Sequence, residues 1–165
     1  MAFKRATKAG QSIRIPLLSD PDYQARRLLR PEGLEVVSAE EKLFFESLDT
    51  SVLKTDLTDV THIVIKGLTG KDFSDAQTGA FNSIRGESYS ESAFGHANIL
   101  EVIKRGLVSI DGNDPGCPSP PLYPVELLYG NNGYGEYWPI IMYEIHERIK
   151  IWSSMGESSG SRSAP

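Results

Sequence analysis

The chain is short of cysteine, of clustered basic residues and of long apolar runs, and each shortage excludes a class of protein. Its 165 residues include a single cysteine, so neither a disulfide nor a cysteine-rich zinc site can form within one chain. No apolar run approaches the roughly 20 residues that span a bilayer. The basic start at residues 1–6 has no hydrophobic segment of the kind found in secretory signals. The net charge of −5 argues against a large nucleic-acid-binding surface, which requires clustered lysine and arginine.

Recognisable catalytic and metal-binding motifs are also missing. His62, His96 and His146 each stand alone, without a second histidine or cysteine at metal-ligand spacing. Cys117 has no neighbouring base in the sequence, and neither G-x-S-x-G nor the P-loop occurs. Carboxylates are plentiful, so a pair that meets only in the folded chain stays open. The sequence therefore predicts no enzyme activity, no cofactor and no metal.

The clearest local pattern is a strand followed by a capped helix near the middle of the chain. Ile63 and Ile65 lie two residues apart in a β-branched run, which predicts a short strand. Thr69 and Asp72 then fit a capping box, in which each side chain accepts a hydrogen bond from the other's backbone. The helix that they start is expected to end near Ile84.

The N-terminal part of the chain predicts a strand and then a helix. Residues 11–18 alternate apolar and polar side chains, and Pro16 confines the resulting strand to the edge of a sheet. Asp20 and Pro21 suit a helix N-terminus, because aspartate caps the first turn and proline fits its first position.

Two further capping boxes predict helix starts, one from Ser38 with Glu41 and one from Ser88 with Glu91. The second of these helices carries an apolar stripe, which consists of Phe94, Ala97, Leu100, Ile103 and Leu107. Residues 52–54 are predicted to be extended. They are expected to pair with the central strand at residues 62–66 in a hairpin.

The last helix is predicted to begin near Pro139. Its apolar stripe consists of Ile141, Met142, Ile145, Ile149 and Trp152. Glu144, Glu147 and Arg148 are expected mostly on other faces, with Glu144 and Arg148 forming an ion pair one turn apart.

These patterns together predict an α+β fold that is mainly helical, with a small β-hairpin or short sheet, in a single domain with flexible ends. We expect a flexible N-terminus at residues 1–10 and a globular domain at residues 11–155. The serine-rich and glycine-rich end at residues 156–165 predicts a disordered tail.

Aromatic residues crowd the C-terminal third of the chain, beside a glycine-rich loop. Tyrosine and tryptophan are enriched in the cores of protein interfaces, because they bring a large contact area at a small cost in entropy. The candidate partner-binding residues are therefore Tyr129, Tyr134, Tyr137 and Trp138. The alternative is that these rings cover the domain's own core.

Several phrases resemble the tail assembly chaperones of long-tailed bacteriophages. SVLKTD at residues 51–56 and VTHIVIKGLTGKDF at residues 60–73 are similar to the family's extended segment and the β-rich phrase before a helix. IKRGLVSIDG at residues 103–112 resembles its phrase at the end of a later helix. YPVELL at residues 123–128 and IWSSM at residues 151–155 resemble its closing segment.

The resemblance covers residues 51–155 as a chaperone-like region and leaves residues 11–50 as an N-terminal extension. It implies a protein without catalysis or cofactor that acts in the host cytoplasm during virion morphogenesis. There it would bind the tape measure protein and recruit tail tube subunits, and neither nucleic acid nor a membrane is an expected partner. The alternative is a structural virion protein, such as a head–tail connector, tail or baseplate component, which would bind neighbouring virion proteins permanently.

Overall fold

A three-stranded antiparallel sheet packs against a larger set of helices, so the fold is α+β and mainly helical, as the sequence predicts. The structure is a computed structural model that describes residues 8–85, 90–111 and 138–155. Its strands are β1 (Ser12–Pro16), β2 (His62–Lys66) and β3 (Leu107–Asp111). Its helices are α1 (Pro21–Leu28), α2 (Leu34–Ser47), α3 (Gly70–Ser83), α4 (Glu91–Gly106) and α5 (Trp138–Ser154).

The sheet has β2 at its centre, with β1 and β3 on either side. Ile63 of β2 lies opposite Ile15 on one side and Ile110 on the other, and all three side chains are fully buried. Pro16 ends β1 at the sheet edge, where its missing N–H breaks no ladder hydrogen bond; this placement confirms the prediction. The alternating isoleucines therefore form the core face of the sheet.

The predicted hairpin between residues 52–54 and the central strand is wrong. Thr50–Val52 forms a short 3₁₀ turn, and the two neighbours of β2 come from distant parts of the sequence. β3 was not predicted, because α4 passes into it without an intervening loop and Leu107 continues the apolar stripe of the helix.

The predicted starts of α1 and α3 are confirmed. Asp20 accepts a hydrogen bond from the backbone N–H of Asp22 at 2.8 Å, and Pro21 occupies the first turn. At α3, Thr69 Oγ1 accepts from the Asp72 N–H at 3.1 Å, and Asp72 returns the contact at 2.8 Å. Both caps satisfy backbone donors that would otherwise have no partner.

The other two predicted capping boxes are wrong. α2 begins at Leu34, four residues earlier, after Gly33 with a φ of 93° that favours glycine. Ser38 therefore lies inside the helix. At α4 the capping side chain is Ser90, which accepts from the N–H of Ala93 at 3.0 Å, whereas Ser88 lies outside the described residues.

The hydrophobic core forms where α5 packs against β2, α4 and α2. Four of the five residues of the predicted α5 stripe are buried, and the fifth, Trp152, is half-buried. Gly106 permits the close approach of α4 to α5, since a Cβ there would lie 2.7 Å from Cγ2 of Ile149. None of the helices in the described ranges is long and apolar enough to cross a membrane.

The segment just before β1 is built into the sheet. Ala9 forms a bridge with Gly67, and a Cβ on Gly67 would overlap the carbonyl oxygen of Lys8. Trp152 donates from its indole N–H to the carbonyl oxygen of Gln11 at 2.8 Å. The bridge at Ala9 lies before residue 11, where the globular domain was predicted to begin.

Candidate functional site

An open groove of about 410 Å³ lies where α5 meets α2 and the segment that leads into α1. Its apolar walls are Leu18, Phe45, Ile140 and Tyr143. Its polar lining is Ser19, Gln24, Glu144, Glu147 and Arg148. Three separate parts of the chain thus meet at one surface, and α5 provides most of it.

The rim of the groove exposes large apolar side chains. Ile140 and Tyr143 lie on neighbouring turns of α5 and are 59% and 60% exposed. Phe45 and Leu18 continue this apolar surface into the groove. Leu28 and Leu29 at the end of α1 are also exposed, but they do not line this groove. Exposed apolar side chains that border a groove with polar groups are typical of binding surfaces.

Glu144 fixes one side of the groove by joining α5 to the segment before α1. Its Oε2 accepts from the buried N–H of Leu18 at 2.9 Å. Its Oε1 accepts from the N–H of Ser19 at 3.1 Å and from Ser19 Oγ at 2.7 Å. The side chain is only 8% exposed, so the prediction that Glu144 lies off the buried face and pairs with Arg148 is wrong about its position and misses its main partners.

Arg148 is the second buried charge at the groove, and it too was predicted on another face. It is 8% exposed, and its guanidinium carbon lies 4.3 Å from the centroid of the Phe45 ring. No hydrogen-bond partner for its Nε lies among the described residues. Burial lowers the pKa of Arg148, while the negative charges of Glu144 and Glu147 oppose that shift.

Glu147, at the edge of the groove, lies near a histidine and a lysine of α5. Its Oε1 lies 3.5 Å from His146 Nδ1 and 3.7 Å from Lys150 Nζ. Burial lowers the pKa of His146, so this ring is neutral at physiological pH. Three donors occupy Glu144, whereas the Nε of the buried Arg148 has no hydrogen-bond partner among the described residues.

A separate buried cluster holds α1 against α2. Glu41 accepts from Tyr23 Oη at 2.6 Å and from Arg27 Nε and Nη2 at 2.9 and 2.8 Å. Burial, reinforced by the hydrogen bond to Glu41, raises the pKa of Tyr23. These contacts use the carboxylate that the sequence assigned to a capping box, and they position the helix that carries Phe45.

Of the four predicted partner-binding residues, the structure describes Trp138. Tyr129, Tyr134 and Tyr137 lie outside the described residues. Trp138 is the first residue of α5, is half-buried and packs against the hydrophobic core. It lies two residues before Ile140, so the predicted aromatic site borders the groove in sequence. The assignment of these four residues to partner binding stays a prediction.

The three histidines lie on different elements. His62 on β2 has its Nδ1 2.7 Å from the carbonyl oxygen of Val60, His96 is exposed on α4, and His146 is buried on α5. Within the described ranges, no group of three or more histidine, cysteine, aspartate and glutamate side chains could hold a metal ion. Cys117 lies outside those ranges.

Comparisons with protein-family models, with curated proteins and with solved structures found no match for this chain. The resemblance to tail assembly chaperones therefore stays a prediction that depends on short sequence phrases. What the geometry provides is a surface suited to adhesion, with apolar walls, a carboxylate anchored by hydrogen bonds and one buried cation.

Proposed function

We propose that this protein is a non-catalytic binding protein, and that it acts as a tail assembly chaperone whose groove at α5 holds an apolar segment of the tape measure protein. The observation that carries the proposal is the exposed pair Ile140 and Tyr143 beside the apolar walls of the groove. A holding chaperone needs such a surface, because it must cover apolar residues of its partner until assembly buries them.

The size of the apolar surface suits a reversible complex. Covering each exposed apolar side chain contributes about 1–2 kcal/mol in the usual area bookkeeping. Part of that gain is offset by the loss of motion on association. A groove with a few apolar side chains therefore contributes less than the roughly 8 kcal/mol of a micromolar complex, and such weak binding is in keeping with a partner that must later be released.

The sequence phrases that suggest the family fall on the scaffold around α5. The β-rich phrase occupies β2 and the start of α3, and a second phrase covers the junction of α4 with β3. The phrase IWSSM ends α5 itself. Since β2 and α4 both contact α5, the resemblance concerns the framework that positions the groove.

The proposed setting is the cytoplasm of the infected host cell. The chaperone would bind the tape measure protein there and bring tail tube subunits to it, without a cofactor. Its buried charges and hydrogen bonds position the binding surface, and no bond-making step is assigned to them.

The test is co-expression with the tape measure protein of the same phage, followed by pull-down. Replacing Ile140 and Tyr143 together by alanine should reduce capture about tenfold or more. The melting temperature should change little, because both side chains are mostly exposed. Phe81→Ala is the matched control, since Phe81 is 58% exposed on α3 and does not line the groove.

Capture that survives the double substitution would contradict the role of the groove. Replacing Tyr137 and Trp138 together by alanine tests the aromatic site in the same assay, where lost capture at unchanged stability would assign the contact to those rings. Mass spectrometry of purified virions tests the setting, because a stoichiometric amount of this chain there would favour a structural virion protein over a chaperone.

A further inference from the structure

We infer that the segment held in the groove carries a carboxylate, from an aspartate or glutamate flanked by apolar residues, and that this group pairs with Arg148. The inference deepens the proposed function and depends on the groove being a protein-binding site. It names a feature of the partner that the apolar walls alone do not specify.

Arg148 is a buried cation whose hydrogen bonds are incomplete in the free protein. Its side chain is more than nine-tenths buried and lines the groove, yet its Nε has no hydrogen-bond partner among the described residues. Buried charges in proteins are normally paired, because removing an ion from water is costly. The charges of Glu144 and Glu147 and the stacking of the guanidinium on Phe45 offset only part of that cost. An incoming anion would complete the set of contacts.

The neighbouring carboxylate of Glu144 is already engaged, because it accepts three hydrogen bonds from Leu18 and Ser19. It cannot turn toward the guanidinium without losing them. Glu147 lies 3.7 Å from Lys150 Nζ and is 31% exposed, so its carboxylate can stay in water.

The chemistry of the anion follows from the shape and the charge of the site. The planar fork of a guanidinium matches a carboxylate with two parallel hydrogen bonds. A phosphate carries up to two negative charges, so Glu144 and Glu147 in the lining repel it more strongly than they repel a carboxylate with one. A single carboxylate between apolar side chains fits both the cation and the walls.

A protein segment fits the groove better than a fatty acid does. The groove is open to solvent, and its rim exposes Ile140 and Tyr143 on neighbouring helical turns. An acyl chain would stay partly in water in such a groove, whereas sites for small molecules bury most of their ligand. A partner helix or extended segment can cover the exposed rim and the groove together.

The experiment compares two fluorescently labelled, leucine-rich amphipathic peptides that are identical except for glutamate or glutamine at one position of the apolar face. Binding to the full chain is measured by fluorescence anisotropy. The wild-type protein should bind the glutamate peptide about tenfold more tightly than the glutamine peptide. Arg148→Met should remove this preference while still binding both peptides.

Two controls separate pairing from general charge and from unfolding. Lys104→Met removes the same charge from an exposed position on α4 and should leave the preference unchanged. Arg148→Met should melt at or above the wild-type temperature, because methionine can pack against Phe45 without burying a charge. Should it unfold instead, Arg148→Lys keeps the charge without the fork, and its preference should fall below that of the wild type.

The outcomes distinguish the two proposals. Equal binding of both peptides by the wild type would overturn the carboxylate inference and leave the groove as a binding site. Binding of neither peptide would overturn both. Decanoate is the third probe: competition by decanoate at concentrations below those of the glutamate peptide, lost in Arg148→Met, would reassign the site to a fatty acid and overturn the inference.

Discussion

Removing the carboxylate of Glu144 should destabilise the protein and open one side of the groove. In Glu144→Ala, the buried N–H of Leu18 loses its acceptor, which costs about 1–3 kcal/mol for an unsatisfied buried donor. The N–H and hydroxyl of Ser19 are only partly buried and can turn to water, so their loss adds about 1 kcal/mol. The expected decrease in the free energy of unfolding is therefore about 2–4 kcal/mol.

The measurement is urea unfolding followed by circular dichroism, with a thermal scan beside it. For a chain of this size, such a loss corresponds to a fall in melting temperature of roughly 5–15 °C. Glu144→Gln should lose less, because its amide oxygen can still accept from one of the backbone donors. Glu147→Ala makes the same charge change nearby at a side chain that is 31% exposed, and it should cost less than about 1 kcal/mol.

If Glu144→Ala and Glu147→Ala lower stability equally and by less than about 1 kcal/mol, the hydrogen bonds of Glu144 do not hold the segment before α1. The position of Leu18 and Ser19 in the groove would then require another explanation.

Four further substitutions test the packing and the buried ionisable groups. Tyr23→Phe removes a hydroxyl from the buried cluster between α1 and α2 and should lower the free energy of unfolding by about 1–2 kcal/mol in urea. Gly106→Ala should lower the free energy of unfolding by about 1–3 kcal/mol, because the new methyl group overlaps Ile149. Gly95→Ala has open space around it and should stabilise α4 by up to about 1 kcal/mol. Equal effects of the two substitutions would contradict the close approach of α4 to α5. Burial holds the pKa of His146 below its ordinary value of 6.5, so the unfolded chain binds that proton more readily and stability falls as the pH drops below 6.5. His146→Gln should flatten this part of the stability–pH curve, and an unchanged slope would show that the ring does not contribute to it.

Local signals predicted the elements whose causes are local. The alternation of Ile63 and Ile65 and the capping box of Thr69 and Asp72 each depend on residues a few positions apart, and both are present in the structure. The box expected from Ser38 failed because Glu41 finds stronger partners across α1. The tertiary contacts of Glu41 with α1, and not its spacing from Ser38, determine its role.

The strands beside β2 illustrate a different limit. Their pairing joins residues far apart in the sequence, and no loop separates α4 from β3. The apolar stripe of α4 runs directly into Leu107, so helix and strand share one hydrophobic pattern. The pairing order could not be derived from periodicity.

Part of the groove was within reach of the sequence. Ile141, Ile145, Arg148 and Trp152 recur at intervals of four, three and four residues, so the arithmetic of the stripe already places Arg148 on the buried face. The expectation that charged residues avoid that face led to the wrong placement. Leu18 and Phe45 line the groove because of tertiary packing, which no local sequence pattern predicts.

The central claim is that the surface formed by Ile140, Tyr143 and Arg148 is where this protein holds its partner. The most direct measurement is site-specific photo-crosslinking from a photoreactive phenylalanine analogue placed at position 143, in cells that also express the tape measure protein. Position 81 is the matched control, because Phe81 is as exposed as Tyr143 and lies on α3. We expect a crosslink to the tape measure protein from position 143 and none from position 81. A crosslink from position 81 with none from position 143 would contradict the account.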